Sequence, residues 1–190
     1  MSIDQFYLLD EEIILMTGEY DHFGRFCARV MIGGQTILVS RSPLQLIDDT
    51  LNYIGFDLKG ANKGTKNILG NINMWPIIVN PYKGICLFPY KSPRQEDCVW
   101  FNPDHIVKTK SRGFKTEVEL SNGVSIIIDL KKYTFITKIQ TALQLKNISR
   151  ERGTHPHPLS HFITSEKQIK PIAKRKEGKY DFKSLMEYNG

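Results

Sequence analysis

Short apolar runs separated by turn residues fill most of the chain and predict a β-rich fold. Residues 5–9 and 13–16 flank Asp10-Glu11-Glu12 and read as two strands around a turn. Phe26–Ile32 and 36–40 flank Gly33-Gly34, a pair that supplies the positive φ of a primed hairpin turn. Residues 75–79 and 84–89 form a further hairpin candidate across Asn80-Pro81-Tyr82-Lys83, where Pro81 is preset for a turn. Shorter candidates, Val99–Phe101 and 106–109, lie either side of Asn102-Pro103-Asp104.

The turn at Ser121-Asn122-Gly123 can be read to its register. A two-residue Asn-Gly loop would pair Leu120 with Ser125 and Glu119 with Ile126, mixing polar and apolar side chains on both faces. A three-residue loop with Gly123 left-handed instead pairs Leu120 with Val124, Val118 with Ile126 and Thr116 with Ile128, and sets Glu119 against Ser125. The second register gives one coherent buried face and is the one expected.

Helical periodicity appears twice. Ser42 can cap a helix, Pro43 suits its first position and Gln45 completes a capping box, after which Leu44, Ile47, Leu51 and Ile54 recur at spacings of three and four before Gly55. Ile136, Ile139 and Leu143, with Ala142 beside them, predict a second helix over 132–147. Between the first helix and the next strands lies Lys59-Gly60-Ala61-Asn62-Lys63-Gly64-Thr65-Lys66, read as a glycine-lysine loop. The expected fold is α+β and β-rich. Antiparallel hairpins form a curved sheet or partial barrel with two packed helices and a basic C-terminal tail. One domain is expected over 1–148, and the tail over 149–190, where periodicity fades into His-Pro-His-Pro and Lys174-Arg175-Lys176.

Charge changes the picture of the partner. The formal net charge is +6, but residues 1–58 carry three basic against nine acidic side chains, a net −6, so the remainder carries +12. That asymmetry fits a polyanion partner as well as an ordinary soluble surface. Three cysteines with no CxxC pair encode neither a disulfide framework nor a zinc knuckle. With no basic, apolar leader and no membrane-length apolar run, the expected location is cytoplasmic, with no membrane partner.

Candidate catalytic groupings are weak. Gly60 and Gly64 have three residues between them where a P-loop has four, and Thr65-Lys66 reverses the Lys-Ser/Thr order. His155, His157 and His161 have spacing and prolines unsuited to a metal site, so no metal, cofactor or catalytic residue is assigned. Cys98 with Asp104 and His105 lacks the context of an activated thiol, and the chain is not expected to be an enzyme. Nucleic-acid contact is the better expectation. Lys59, Asn62, Lys63 and Lys66 make one set of candidate DNA contacts. Lys108, Lys110 and Arg112, which would share a strand face, and the nearby Lys115 make the other. Trp100, Phe101 and Phe114 lie among them as stacking platforms or as core, and the lysines can equally protect an edge strand.

Taken in order, Ser42-Pro43-Leu44-Gln45-Leu46-Ile47-Asp48, Gly55, the Lys59-Gly60 and Lys63-Gly64 segment, Pro76-Ile77-Ile78-Val79-Asn80-Pro81, Leu87-Phe88-Pro89, Trp100, His105 and residues 118–123 resemble the ComK family of competence transcription factors of Gram-positive bacteria. The match covers roughly residues 42–129, with a further likeness at Tyr180-Asp181-Phe182, and departs from the pattern at Asp49-Thr50 and Trp75. The resemblance implies a transcription activator of DNA-uptake genes. Such a protein would bind paired A/T-rich promoter boxes in double-stranded DNA, largely through the minor groove, as a homodimer or higher oligomer that bends DNA. It also implies RNA polymerase and a Clp-protease adaptor as partners. The competing expectation is a protein-binding adaptor, a diverged paralogue without specific promoter binding.

Overall fold

The computed structural model describes residues 3–4 and 7–155. In chain order the elements are β1 (Ile3–Asp4), β2 (Ile13–Tyr20), β3 (Phe26–Ile32), β4 (Gln35–Val39), α1 (Pro43–Tyr53), α2 (Leu58–Leu69), β5 (Ile77–Asn80) and β6 (Ile85–Pro89). They continue with β7 (Val99–Phe101), a 3-10 turn (Pro103–His105), β8 (Ile106–Arg112), β9 (Lys115–Leu120), β10 (Ser125–Ile128) and α3 (Lys132–Thr154). Seven strands form an open, curved sheet in the order β1-β4-β3-β2-β7-β6-β5, and three form a second sheet, β10-β9-β8. The class is α+β and β-rich, as expected.

The apolar runs in β6 and β7 do not alternate with polar residues, because both faces of the large sheet are covered. On one face Ile85, Leu87 and Trp100 meet Leu46, Ile47 and Leu51 of α1. On the other, Cys86, Phe88 and Phe101 meet Phe135, Ala142 and Leu145 of α3, together with Val118, Leu120 and Ile128 of the small sheet. A one-residue step along each strand therefore changes which core a side chain enters. Phe135 sits between Phe88 and Phe101, with ring centroids 5.7 and 5.2 Å away.

Turn chemistry fixes the hairpins. Gly33 has φ +52° in the two-residue β3–β4 loop, where Ile32 faces Gln35. The β9–β10 pairs are Glu119 with Ser125, Val118 with Ile126 and Thr116 with Ile128, so the three-residue loop and its register are as expected. Ser42 and Gln45 form both bonds of the capping box that starts α1.

Three elements differ from the sequence reading. Residues 59–66 are not a loop but most of α2, which makes three packed helices rather than two. Asp57 caps α2 by accepting from the Gly60 amide, Leu58, Ala61, Thr65, Ile68 and Leu69 face the interior, and Gly70 ends it at φ +78°. Two interior glycines cost roughly 1 kcal/mol each against alanine, and packing of that apolar stripe overrides the penalty. Secondly, β1 pairs in parallel with β4, and the described part of the strand expected over 5–9, residues 7–9, is not a strand. Finally, α3 runs past 147 to Thr154, since an anchored helix propagates through polar residues without a buried stripe. The rest of the expected tail, including His157, His161 and the basic Lys174-Arg175-Lys176, lies outside the described residues. Among the described residues no helix is long and apolar enough to cross a membrane.

Candidate nucleic-acid interface

The helical form of α2 organises the first candidate set. At 3.6 residues per turn, Lys59, Lys63 and Lys66 fall within about 60° of arc, and Asn62 borders them. All three lysines are exposed, Asn62 is half-buried, and none of the lysines has an ion-pair partner among the described residues. The opposite face holds the helix down through Leu58, Ala61, Thr65, Ile68 and Leu69, and the Thr65 hydroxyl donates to the Pro76 carbonyl at 3.3 Å. Leu58 N donates to the Asp48 carboxylate at 2.9 Å, which fixes α2 against α1. The three cations are thus a rigid row on a packed scaffold.

The second set is arranged differently. Lys108, Lys110 and Arg112 share one face of β8, but the residues opposite them on β9 are Glu119, Glu117 and Lys115. Arg112 pairs with Glu117 at 2.6 Å and Lys115 with Asp129 at 2.8 Å. The Asp129 hydrogen bond holds the Lys115 ammonium above its ordinary pKa. Cross-strand acids were not weighed in the sequence because they become neighbours only through the register. The hairpin is consequently a mixed-charge ribbon, whereas the α2 face is purely cationic.

The structure also separates the aromatics. Trp100 and Phe101 are core, 1% and 0% exposed, while Phe114 at the β8–β9 turn is 79% exposed. The ammonium of Lys131 lies 5.0 Å from the centre of its ring. The hairpin lies along α3, with its base beside the Asp104–Lys146 ion pair and its tip beside Asp129 and Lys131. Helix α2 meets the later part of α3, around Leu145 and Ser149, whereas the tip of the hairpin lies near the start of α3.

No thiol–imidazole pair assembles. His105 bonds the Ser121 hydroxyl at 2.7 Å and the Glu11 carbonyl at 3.1 Å, and Cys98 donates to the Lys91 carbonyl at 3.3 Å. Burial pushes the Cys98 thiol up to about 11 and the Cys86 thiol up to about 12, and it also raises Cys27. A disulfide reagent at pH 8 is therefore expected to leave all three thiols unmodified over minutes in the native protein and to titrate all three in denaturant. Rapid native labelling of Cys98 would contradict this placement. Residues 60–64 lie in a helix, and the Gly60 amide is already bonded to the Asp57 carboxylate, so they form no phosphate-cradling loop. Among the described residues no group of His, Cys, Asp or Glu is placed to hold a metal ion.

The departure from the resemblance at Asp49-Thr50 has a local explanation. Asp49 pairs with Arg41 at 2.8 Å and so cancels its own charge at the surface. Thr50 is buried, donating to the Leu46 carbonyl at 2.8 Å and accepting from Leu9 N at 3.1 Å, which pins the segment before β2 to α1.

Residues 4–154 match the family described as ComK protein. The chain belongs to the ComK family. It is also similar to a protein of Bacillus subtilis (strain 168) named "Competence transcription factor", with 26% identity over 160 residues, covering 84% of this chain and 81% of that one. No solved structure matches the chain. The ComK match extends from β1 to the end of α3 and so includes both candidate sets and the scaffold that carries them.

Proposed function

We propose that this ComK-family protein is a DNA-binding transcription activator of competence genes that reads A/T-rich promoter boxes largely through the minor groove. The observation that carries the reading is the row Lys59, Lys63 and Lys66 on α2, three exposed cations without ion-pair partners among the described residues. Such a row matches a phosphate backbone, and Asn62 beside it can donate to phosphate or sugar oxygens. The likeness to a protein named a competence transcription factor supports the regulatory part.

The dimensions of DNA divide the labour. An α-helix with side chains is about 10–12 Å across and the B-form minor groove about 6 Å wide, so α2 lies over the backbone and positions the protein. The β8–β9 ribbon, carrying Lys108, Lys110, Arg112 and Lys115, is the element assigned to the groove, entered by its tip and long side chains and not by both strands. There A/T and G/C pairs differ by acceptor pattern and groove width. No further helix has to enter the major groove. Two copies bound side by side would match paired boxes, with RNA polymerase as the partner of activation and a Clp adaptor controlling abundance.

The deciding experiment is a gel-shift titration of the full chain with an A/T-box duplex and a G/C-rich control at two salt concentrations. Tighter binding to the A/T duplex is expected, with log affinity falling against log salt at a slope of about −5 if some six phosphates are neutralised. Equal, weak binding to both duplexes would remove the sequence-reading claim. A second reading, a protein-binding adaptor, is favoured by one observation. An apolar groove of about 220 Å³ lies between α2 and α3, lined by Phe56, Gly60, Gly64, Ile68, Pro81 and Leu145. Failure to bind either duplex would select that reading.

A further inference from the structure

The β8–β9 turn carries a residue that the fold does not use. The last paired residues are Arg112 and Lys115, which leaves Gly113 and Phe114 as a two-residue turn with Gly113 at φ +71°. A glycine with positive φ at the first turn position is what a primed hairpin turn requires. Phe114 has no such explanation, since polar residues and glycine are the usual occupants of a turn. Burying a phenylalanine contributes about 1.5–3 kcal/mol, and at 79% exposure this ring supplies little of that to the fold. Single exposed apolar residues are common, so exposure alone decides nothing.

The surroundings of the ring decide more. Arg112 and Lys115 flank it, and their ion pairs to Glu117 and Asp129 tie the tip down, so that the turn projects from a fixed base. Lys131 reaches over the ring from the start of α3. The most projecting apolar group of the ribbon is thus set among three cations, at the tip of the proposed interface. A ring for a protein partner would be expected among further apolar neighbours, and here the residues closing the turn, Arg112 and Lys115, are both charged. A ring that slips between base pairs needs cations beside it, because phosphates line both edges of the groove.

We infer that Phe114 is an apolar wedge, inserted from the minor groove between two base pairs while Arg112, Lys115 and Lys131 meet the flanking phosphates. The inference rests on the DNA-binding reading above. It also suits A/T-rich sites, since TA steps unstack more readily than others and lower the cost of the kink. Specificity then has a second source besides groove width, located at a step the protein opens rather than at a base edge it reads.

The test uses the full chain and an A/T-box duplex with 2-aminopurine at a central TA step and a dye pair at its ends. Binding of the wild-type protein is expected to raise the 2-aminopurine fluorescence severalfold and to shorten the end-to-end distance. Phe114→Ala is expected to abolish both signals and to weaken A/T binding about tenfold, with the salt slope and melting temperature unchanged. Phe114→Leu, which keeps an apolar wedge, is expected to retain most of the bend. Wild-type-like fluorescence and bending in Phe114→Ala would overturn the wedge. So would a loss of self-association in Phe114→Ala by sedimentation, which would make the ring a protein contact. If the wild-type chain binds neither duplex, the DNA-binding reading fails first, and the wild-type titration alone reveals it.

Discussion

Replacing Lys59, Lys63 and Lys66 together with glutamine is expected to reduce DNA affinity by on the order of a hundredfold at 0.15 M salt and to flatten the salt dependence by about three units of slope. The size follows from counterion release. Each neutralised phosphate contributes about 0.9 to the slope, which at that salt concentration corresponds to about a fivefold change in affinity per contact. Loss should be similar on A/T and G/C duplexes, since backbone contacts position without reading sequence. Stability should hardly change: lysine and glutamine have nearly equal helix propensity, and the three side chains are exposed and outside any ion pair among the described residues. Fluorescence anisotropy at four salt concentrations, with a thermal melt of the same sample, makes the measurement. An unchanged slope in a folded triple variant would remove α2 from the interface. The corresponding change on the ribbon, Lys108→Gln with Lys110→Gln, should act less evenly, because it leaves Glu119 without the lysine opposite it while Glu117 keeps Arg112.

That contrast between helix and ribbon marks where the sequence was readable. Capping residues and glycine turns act locally, so the start of α1 and the β3–β4 and β9–β10 registers followed from neighbouring residues. The glycine-lysine segment was misread because Gly60 and Gly64 weigh against a helix locally, while the forces that make α2 helical come from elsewhere. Besides the local Asp57 cap, they are the Asp48 carboxylate ten residues away and burial of Ile68 and Leu69 against the core around α3. The parallel β1–β4 pair joins segments far apart in the chain, and nothing in either segment encodes the other. The candidate cations were legible by type and not by arrangement. On α2 the helix gathered them into one row, and on β8–β9 the register brought acids among them. Of the three aromatics left open, Trp100 and Phe101 belong to strands covered on both faces, and Phe114 to a turn that nothing covers.

The cores behind those surfaces set the other large effect. Phe135→Ala is expected to lower the unfolding free energy by about 3–5 kcal/mol, the usual range for emptying a buried aromatic site. Phe135 is fully buried, and its ring meets both Phe88 and Phe101, whose strands are central in the large sheet and cannot follow it to close the gap. For a unit of this size that loss lowers the melting temperature by roughly 10–15 °C, while Phe114→Ala should leave it within about 2 °C. Two chemically identical truncations thus separate a ring that holds the fold from a ring free to meet a partner. Phe135 lies in the same core as Val118, Leu120 and Ile128, so its loss should loosen the small sheet as well as α3. Native-state hydrogen exchange is expected to accelerate in β8, β9 and α3 before β3, whose buried residues Ala28 and Val30 lie in the opposite core. DNA bending should then weaken in Phe135→Ala even at temperatures where the protein remains folded, because the ribbon tip loses its fixed base. Uniform acceleration of exchange across both sheets would instead show that the two cores open together and that α3 is no separate support for the ribbon.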